Sequence, residues 1–193
     1  ILFIVLRVSI WKALYTYGDV QTIDDINLQN MIAYTIVSQF LIAFIRTDIM
    51  NDMNQKILKG DICHLLLLPV NIISYEFWTT FMGSILKIVY FAVFPFLFSV
   101  IVYGLCTDVT AMTVFLFFIS FFLAFILFFL YSFIMGISAV WLRNSFFLSN
   151  LDEAIFSLLS GMFVPMWFFP RFIDDISKFL PFRYMLFEPI SIL

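Results

Sequence analysis

The sequence predicts an all-α fold, a polytopic bundle of membrane-spanning helices forming one domain over residues 1–193. Three observations predict it. Hydrophobic residues make up 64% of the chain and charged residues only 12%, whereas a soluble domain carries about 25% charged residues. Phenylalanine alone accounts for 28 positions, which suits lipid-facing bulk with an aromatic share for the interfaces. Apolar runs of bilayer length recur between short polar stretches. A small domain cannot hide that much apolar surface in one core, while lipid solvates it directly.

The runs follow in order. Ile1 to about Thr16 is apolar but interrupted by Arg7 and Lys12. A polar stretch, 18–30, carries Asp19, Asp24 and Asp25. Leu28 to Ile45 is just long enough to span, at about 1.5 Å per residue against a core of about 30 Å. Residues 46–61 are polar and mixed in charge. Phe77 to Tyr103 is apolar apart from Lys87, and a short turn containing Asp108 follows. Ala111 to Leu142 has no charge and is the clearest span. Ala154 to Phe169 is a fifth, shorter run that contains Pro165. The chain begins and ends inside apolar runs, so the expectation is a fragment with a truncated first span and a missing sixth.

Lys and Arg in short loops set orientation. Arg46, Lys56 and Lys59 precede the third span, and Arg143 precedes the fifth. The 18–30 and 104–110 loops carry acids and no basic residue. Alternation therefore places 46–61 and 143–150 in the cytoplasm. Arg7 and Lys12 then fall toward the outer half of the first helix, and the sequence offers no role for them.

Segment 46–61 reads as a short amphipathic helix. Ile49, Met50, Met53 and Ile57 gather on one face, while Asn51, Asp52, Gln55 and Lys56 take others. Thr47 or Asp48 suits the N-cap, and Gly60 suits a left-handed C-cap. Such a helix either rests on lipid headgroups or docks a cytoplasmic partner, for which methionines repack readily. Beyond it, Pro69 disfavours helix at Leu68 and predicts an elbow before the third span.

The second unusual stretch is 150–193. Asn150 suits an N-cap, with Asp152 and Glu153 in the first turn. Pro165 predicts a kink, Met166 to Pro170 an interfacial aromatic belt. From Arg171 an amphipathic pattern places Phe172, Ile173, Ile176, Phe179 and Leu180 on one face, with Pro181 ending the helix. Phe182 to Leu193 either re-enters the membrane or begins a final span.

Isolated polar residues carry little chemistry. Lys87 is expected to snorkel to the inner interface, and Gln39 to hydrogen-bond another helix. Cys63 and Cys106 have no metal-type spacing and read as reduced and structural. His64 is the only histidine, so no His-rich metal site is expected. No Walker A loop is present. No basic cluster points to nucleic acid. No catalytic residue, cofactor or metal is expected.

Two stretches carry a family resemblance. Ile57-Leu58-Lys59-Gly60-Asp61 through Leu65-Leu66-Leu67-Leu68-Pro69 resembles the elbow of ABC-2 type permeases. Ser160-Gly161-Met162-Phe163-Val164-Pro165, then Phe169-Pro170, Leu180-Pro181-Phe182-Arg183-Tyr184 and Pro189, resembles their C-terminal signature. The order of spans matches, and the resemblance covers nearly the whole chain. It implies a permease subunit of an ATP-driven exporter in a cell membrane, of prokaryotic plasma-membrane type. The implied partners are a cytoplasmic ABC ATPase, a second permease chain in a homo- or heterodimer, and membrane lipids. Coupling to the ATPase would fall to Ile49, Met50, Met53, Ile57, Lys59, Gly60 and Asp61, with Pro69 as the elbow. Residues 166–190 would contribute to an outer gate framed by Gly161, Pro165, Pro170 and Pro181. The competing classes are a passive channel or lipid-scrambling protein without a motor, an intramembrane enzyme and a scaffolding subunit. Transport by the chain alone, without nucleotide, would favour a passive channel or scramblase over the motor-driven permease.

Overall fold

The computed structural model describes residues 2–17, 22–23, 26–103, 110–138 and 145–192. Asp19, Asp24, Asp25, Cys106, Asp108 and Arg143 lie outside the described residues, and so do the loop assignments that depend on them.

Helix α1 (Leu2–Tyr17) packs on α2 (Leu28–Ile45), which matches the predicted second span. Two-residue strands β1 (Thr22–Ile23) and β2 (Ile26–Asn27) pair antiparallel between them. The Asn27 side chain caps α2 by accepting from the Leu28 N–H. Beyond Ile45 lie α3 (Ile49–Lys59) and α4 (Ile62–Leu67). The third predicted span starts earlier than expected. Helix α5 runs Ile72–Lys87, capped by Asn71, whose Oδ1 accepts from the Ile73 N–H at 2.9 Å. A π turn (Ile88–Ala92) then leads into α6 (Val93–Tyr103). The π turn comes just before Pro95, which has no N–H to give to the Phe91 carbonyl.

Helix α7 (Ala111–Ile137) opens with a capping box between Thr110 and Thr113. The predicted continuation to Leu142 lies outside the described residues. Helix α8 spans Ser145–Leu159. A 3-10 turn (Met166–Phe168) and helices α9 (Arg171–Ser177) and α10 (Pro181–Ser191) complete the described fold.

The main core joins α2, α7, α8 and α10. Leu41, Phe44, Phe125, Phe128, Phe156, Met185 and Leu186 all lie within it. Phenylalanine rings interlock there: Phe44 meets Phe125 at 5.0 Å and Phe77 meets Phe129 edge-on at 5.2 Å between centroids. Such edge-on pairs add about 0.5–1.5 kcal/mol beyond area burial. Phenylalanine therefore builds the interior as well as the lipid face. Helix α10 enters the bundle, with Phe182, Met185, Leu186, Phe187 and Ile190 buried.

Among the described residues, three helical stretches are long and apolar enough to cross a membrane: Leu28–Lys59, Ile72–Tyr103 and Ala111–Ile137. At 16 and 15 residues, α1 and α8 are shorter than the about 20 residues an upright span needs. The long stretches 72–103 and 111–137 are mostly exposed and apolar, as helices facing lipid should be.

Two local expectations are corrected. Asn150 does not cap α8, which begins at Ser145, so Asp152 and Glu153 fall in its middle. They serve as tertiary partners instead. Pro165 does not kink the helix, because α8 ends at Leu159 and Gly161 adopts a left-handed backbone at φ +76°. Pro165 sits at the N-cap of the following 3-10 turn.

Candidate functional site at the α3 corner

Helix α3 is amphipathic as its spacing requires, and Gly60 ends it in the left-handed region at φ +82°. Asp48 stands at the N-cap but makes no side-chain cap bond; its carboxylate accepts from Lys87 Nζ at 3.2 Å. Lys87 therefore reaches a carboxylate at the α2–α3 corner, with its side chain 44% exposed.

The apolar face of α3 is turned into the chain. Ile49, Met50 and Met53 are buried, and Ile49 and Met53 cluster with Phe129 and Phe133 of α7 while Ile57 packs at the edge. Close approach depends on Gly136. A Cβ there would lie 2.9 Å from Met53 Cβ and 3.0 Å from the Met50 carbonyl oxygen. This corrects the expectation that Met50 and Met53 are free to repack against a partner. It equally removes the reading in which α3 lies with that face on headgroups. The sequence signal that could have revealed this is Gly136, a small residue near the end of the clearest, phenylalanine-rich span.

Ion pairs tie the corner together. Lys56 Nζ meets Glu76 Oε1 of α5 at 2.6 Å, and the Glu76 side chain is only 2% exposed. Arg46 meets Glu153 of α8 at 3.0 Å, and Ser149 donates to Asn51 Oδ1 at 2.7 Å. Tyr131 donates to Asp152 at 2.5 Å. Arg46, Asp48, Asn51, Ser149, Asp152 and Glu153 border a polar cavity of about 350 Å³ that also reaches Ser132 and Lys87. The Asn54 amide is buried with neither atom hydrogen-bonded among the described residues, a feature the amphipathic pattern did not announce.

The opposite side is open. Asp52, Gln55, Lys59 and Asp61, with the edge of Asn51, border an open polar hollow. Beyond Gly60 the elbow is exposed and apolar: Leu66 is 64% exposed and Leu67 81%. Leu68 is extended at ψ 140°, as the residue before Pro69 should be. Cys63 is a free thiol at the same exposed end.

The C-terminal stretch brings Gly161, Pro165, Pro170 and Pro181 to successive breaks in one segment. Pro170 is the N-cap residue of α9 and Pro181 opens α10. Phe172 and Phe179 of the predicted apolar face are strongly exposed. The α9–α10 corner is knit by charge. Lys178 bridges Asp174 at 2.9 Å and Asp175 at 2.8 Å, while Arg183 pairs with Asp174 and reaches Glu188 at 2.7 Å.

The Lys178 hydrogen bond, helped by Arg183, holds the Asp174 carboxyl below its ordinary value of 3.8. A depressed carboxyl adds stability that is present above the ordinary pKa and is lost as pH falls through the folded one. Hydrogen exchange of α9 is therefore expected to stay slow at neutral pH and to accelerate only below the ordinary carboxylate range. Asp174→Asn should remove that acid step. An acid step that persists in the variant would assign it to another group.

Gln39 departs from expectation. It makes no hydrogen bond among the described residues and lines an apolar groove of about 150 Å³ between α1, α2 and α6. No cluster of metal-ligating side chains is found among the described residues.

The family model described as ABC-2 family transporter protein matches residues 1–193. No curated protein and no solved structure matches the chain.

Proposed function

This chain belongs to the ABC-2 family of transporter proteins, as a multi-pass membrane component of an ABC transporter, and we propose that it is the permease of an exporter driven by a separate cytoplasmic ATPase. Export direction, a second permease chain in a homo- or heterodimer, and a prokaryotic cell membrane belong to the same proposal. One observation carries it: α3 is anchored on α7 by its apolar face, leaving its polar side and the leucine elbow exposed. An exposed apolar elbow beside a charged helix face fits a protein partner with a matching groove.

The coupling residues divide by role in this reading. Ile49, Met50 and Met53 seat α3, while Asp52, Lys59, Asp61 and the elbow leucines meet the ATPase. Gly60 sets the turn between them. Nucleotide-driven closure of the paired ATPases pushes the elbow. Because α3 is packed on α7 and bridged to α5 through Lys56–Glu76 and Asp48–Lys87, the push moves those helices together. Pro69 adds a second path into α5. Packed helices shift as rigid bodies, so the two permease halves move apart as units.

The test is co-purification. Leu66→Asp with Leu67→Asp should abolish ATPase recovery while the chain still inserts in the membrane. ATPase recovery and nucleotide-dependent transport at the parent level would show that docking lies elsewhere.

A further inference from the structure

The polar cavity at the α3 corner carries a charge pattern that ATPase docking does not use. It measures about 350 Å³, a size at which small-molecule pockets begin. Its cations are Arg46, the residue that follows α2, and Lys87, the last residue of α5. Each meets a carboxylate at the cavity edge, Glu153 at 3.0 Å and Asp48 at 3.2 Å. Those two carboxylates are 60% and 75% exposed. Ion pairs this exposed are weak, so an anion that reaches both cations can displace them.

Asp152 differs from both. It is partly buried and accepts from Tyr131, yet it makes no ion pair among the described residues. A carboxylate withdrawn from water without a cation is costly to keep charged. The group that suits it brings a positive charge and N–H donors. One ligand would therefore place an anion at Arg46 and Lys87 and a cation at Asp152. Two hydroxyls add donors for the anion. The Thr47 hydroxyl is buried and has no hydrogen-bond partner among the described residues, and Ser132, 2% exposed, borders the same cavity. The height of the cavity points to the source of such a ligand. Arg46 directly follows α2, Lys87 lies within the apolar stretch Ile72–Tyr103, and Ser132 lies within Ala111–Ile137. Beside Lys87, Leu86, Val89 and Tyr90 are exposed, an apolar surface along which acyl chains can lie.

We propose that this cavity binds the phosphoethanolamine headgroup of a membrane phospholipid, its phosphate at Arg46, Lys87 and the Thr47 and Ser132 hydroxyls, its ammonium on Asp152. The exporter reading decides only the leaflet, since it puts this corner on the cytoplasmic side. Charge-assisted hydrogen bonds give the selectivity. A primary ammonium donates N–H groups to Asp152, whereas choline has no N–H to give and glycerol has no charge. A headgroup held here touches α2, α5, α7 and α8 at once. Whatever binds the folded arrangement and not the unfolded chain stabilises it in proportion to its affinity.

Thermal unfolding of the full-length chain in detergent, without nucleotide, tests it independently of any ATPase. Phosphatidylethanolamine, phosphatidylcholine and phosphatidylglycerol with the same acyl chains are titrated in turn. Phosphatidylethanolamine should stabilise at a concentration about tenfold below the other two, the scale of a charged hydrogen bond. Asp152→Asn keeps an acceptor for Tyr131 and should bring the three lipids level. Lys87→Gln should raise the concentration needed for all three. Asp175→Asn, which removes an exposed carboxylate on α9, should leave the preference unchanged. The ranking of the three lipids on the parent chain decides the matter even where a variant fails to fold. Equal concentrations for the three on the parent would overturn the site. So would an ethanolamine preference that survives Asp152→Asn. Free O-phosphoethanolamine acting at the same concentration as the lipid would support the headgroup site and overturn the membrane as its source. Loss of ATPase recovery with the lipid ranking intact would count against the motor and leave the site standing.

Discussion

Gly136→Leu is expected to unseat α3 and uncouple transport from nucleotide hydrolysis. The reason is spatial. At Gly136 the α3 and α7 backbones approach so closely that even a Cβ would crowd the Met50 carbonyl oxygen at 3.0 Å. Backbone cannot swing aside as a long side chain does, so α3 must move away from Phe129 and Phe133 or the end of α7 must bend. Overpacking of this kind costs about 1–3 kcal/mol, and a leucine meeting backbone belongs at the upper end. The exposed faces of α3 would then be carried on a loosened element. Hydrogen exchange across 49–59 should accelerate, and nucleotide-dependent transport should fall sharply. Gly83→Leu is the control, because a Cβ at Gly83 meets nothing within 4 Å. Equal tolerance at both positions would show that the close approach at Gly136 does not hold α3.

Lys56→Met is expected to be the most destabilising single change at the corner. It leaves the Glu76 carboxylate buried, at 2% exposure, without the ammonium now 2.6 Å away. Removing one partner of a buried pair typically costs about 3–5 kcal/mol, while replacing both with apolar residues is often near neutral. Lys56→Met with Glu76→Leu should therefore recover most of the stability lost by Lys56→Met alone, a strongly non-additive cycle. Thermal unfolding in detergent measures both. Equal loss in the single and double variants, or no loss in the single, would mean that the pair contributes nothing to the fold.

Several elements were legible in the linear chain. Helix α2 falls on the predicted Leu28–Ile45 because an uninterrupted apolar run of span length leaves few alternatives. Amphipathic α3, its end at Gly60 and the elbow at Pro69 were legible for local reasons, since periodicity, a left-handed glycine and a pre-proline residue act within a few positions. The family resemblance lay in those same interruptions. Less legible were the ends of α5 and α8. Glu76 reads as a polar boundary in sequence, yet it sits inside a helix because Lys56, twenty positions earlier, neutralises it. Asp152 and Glu153 read as first-turn acids, yet Tyr131 and Arg46 claim them from α7 and the end of α2.

By itself, then, the sequence determined that this is a helical membrane protein, where its clearest span lies, and which short segment is amphipathic. Those properties follow from composition and local periodicity, which each residue carries regardless of distant neighbours. Only the tertiary structure decided which way the amphipathic helix faces. Its methionines lie against α7, and its polar side and the leucine elbow remain open. That choice depends on Gly136, remote from α3 along the chain, because the absence of one side chain lets two helices meet. The same is true of Arg7, which the linear reading left without a contact and which the fold sets 4.9 Å from the centre of the Phe163 ring.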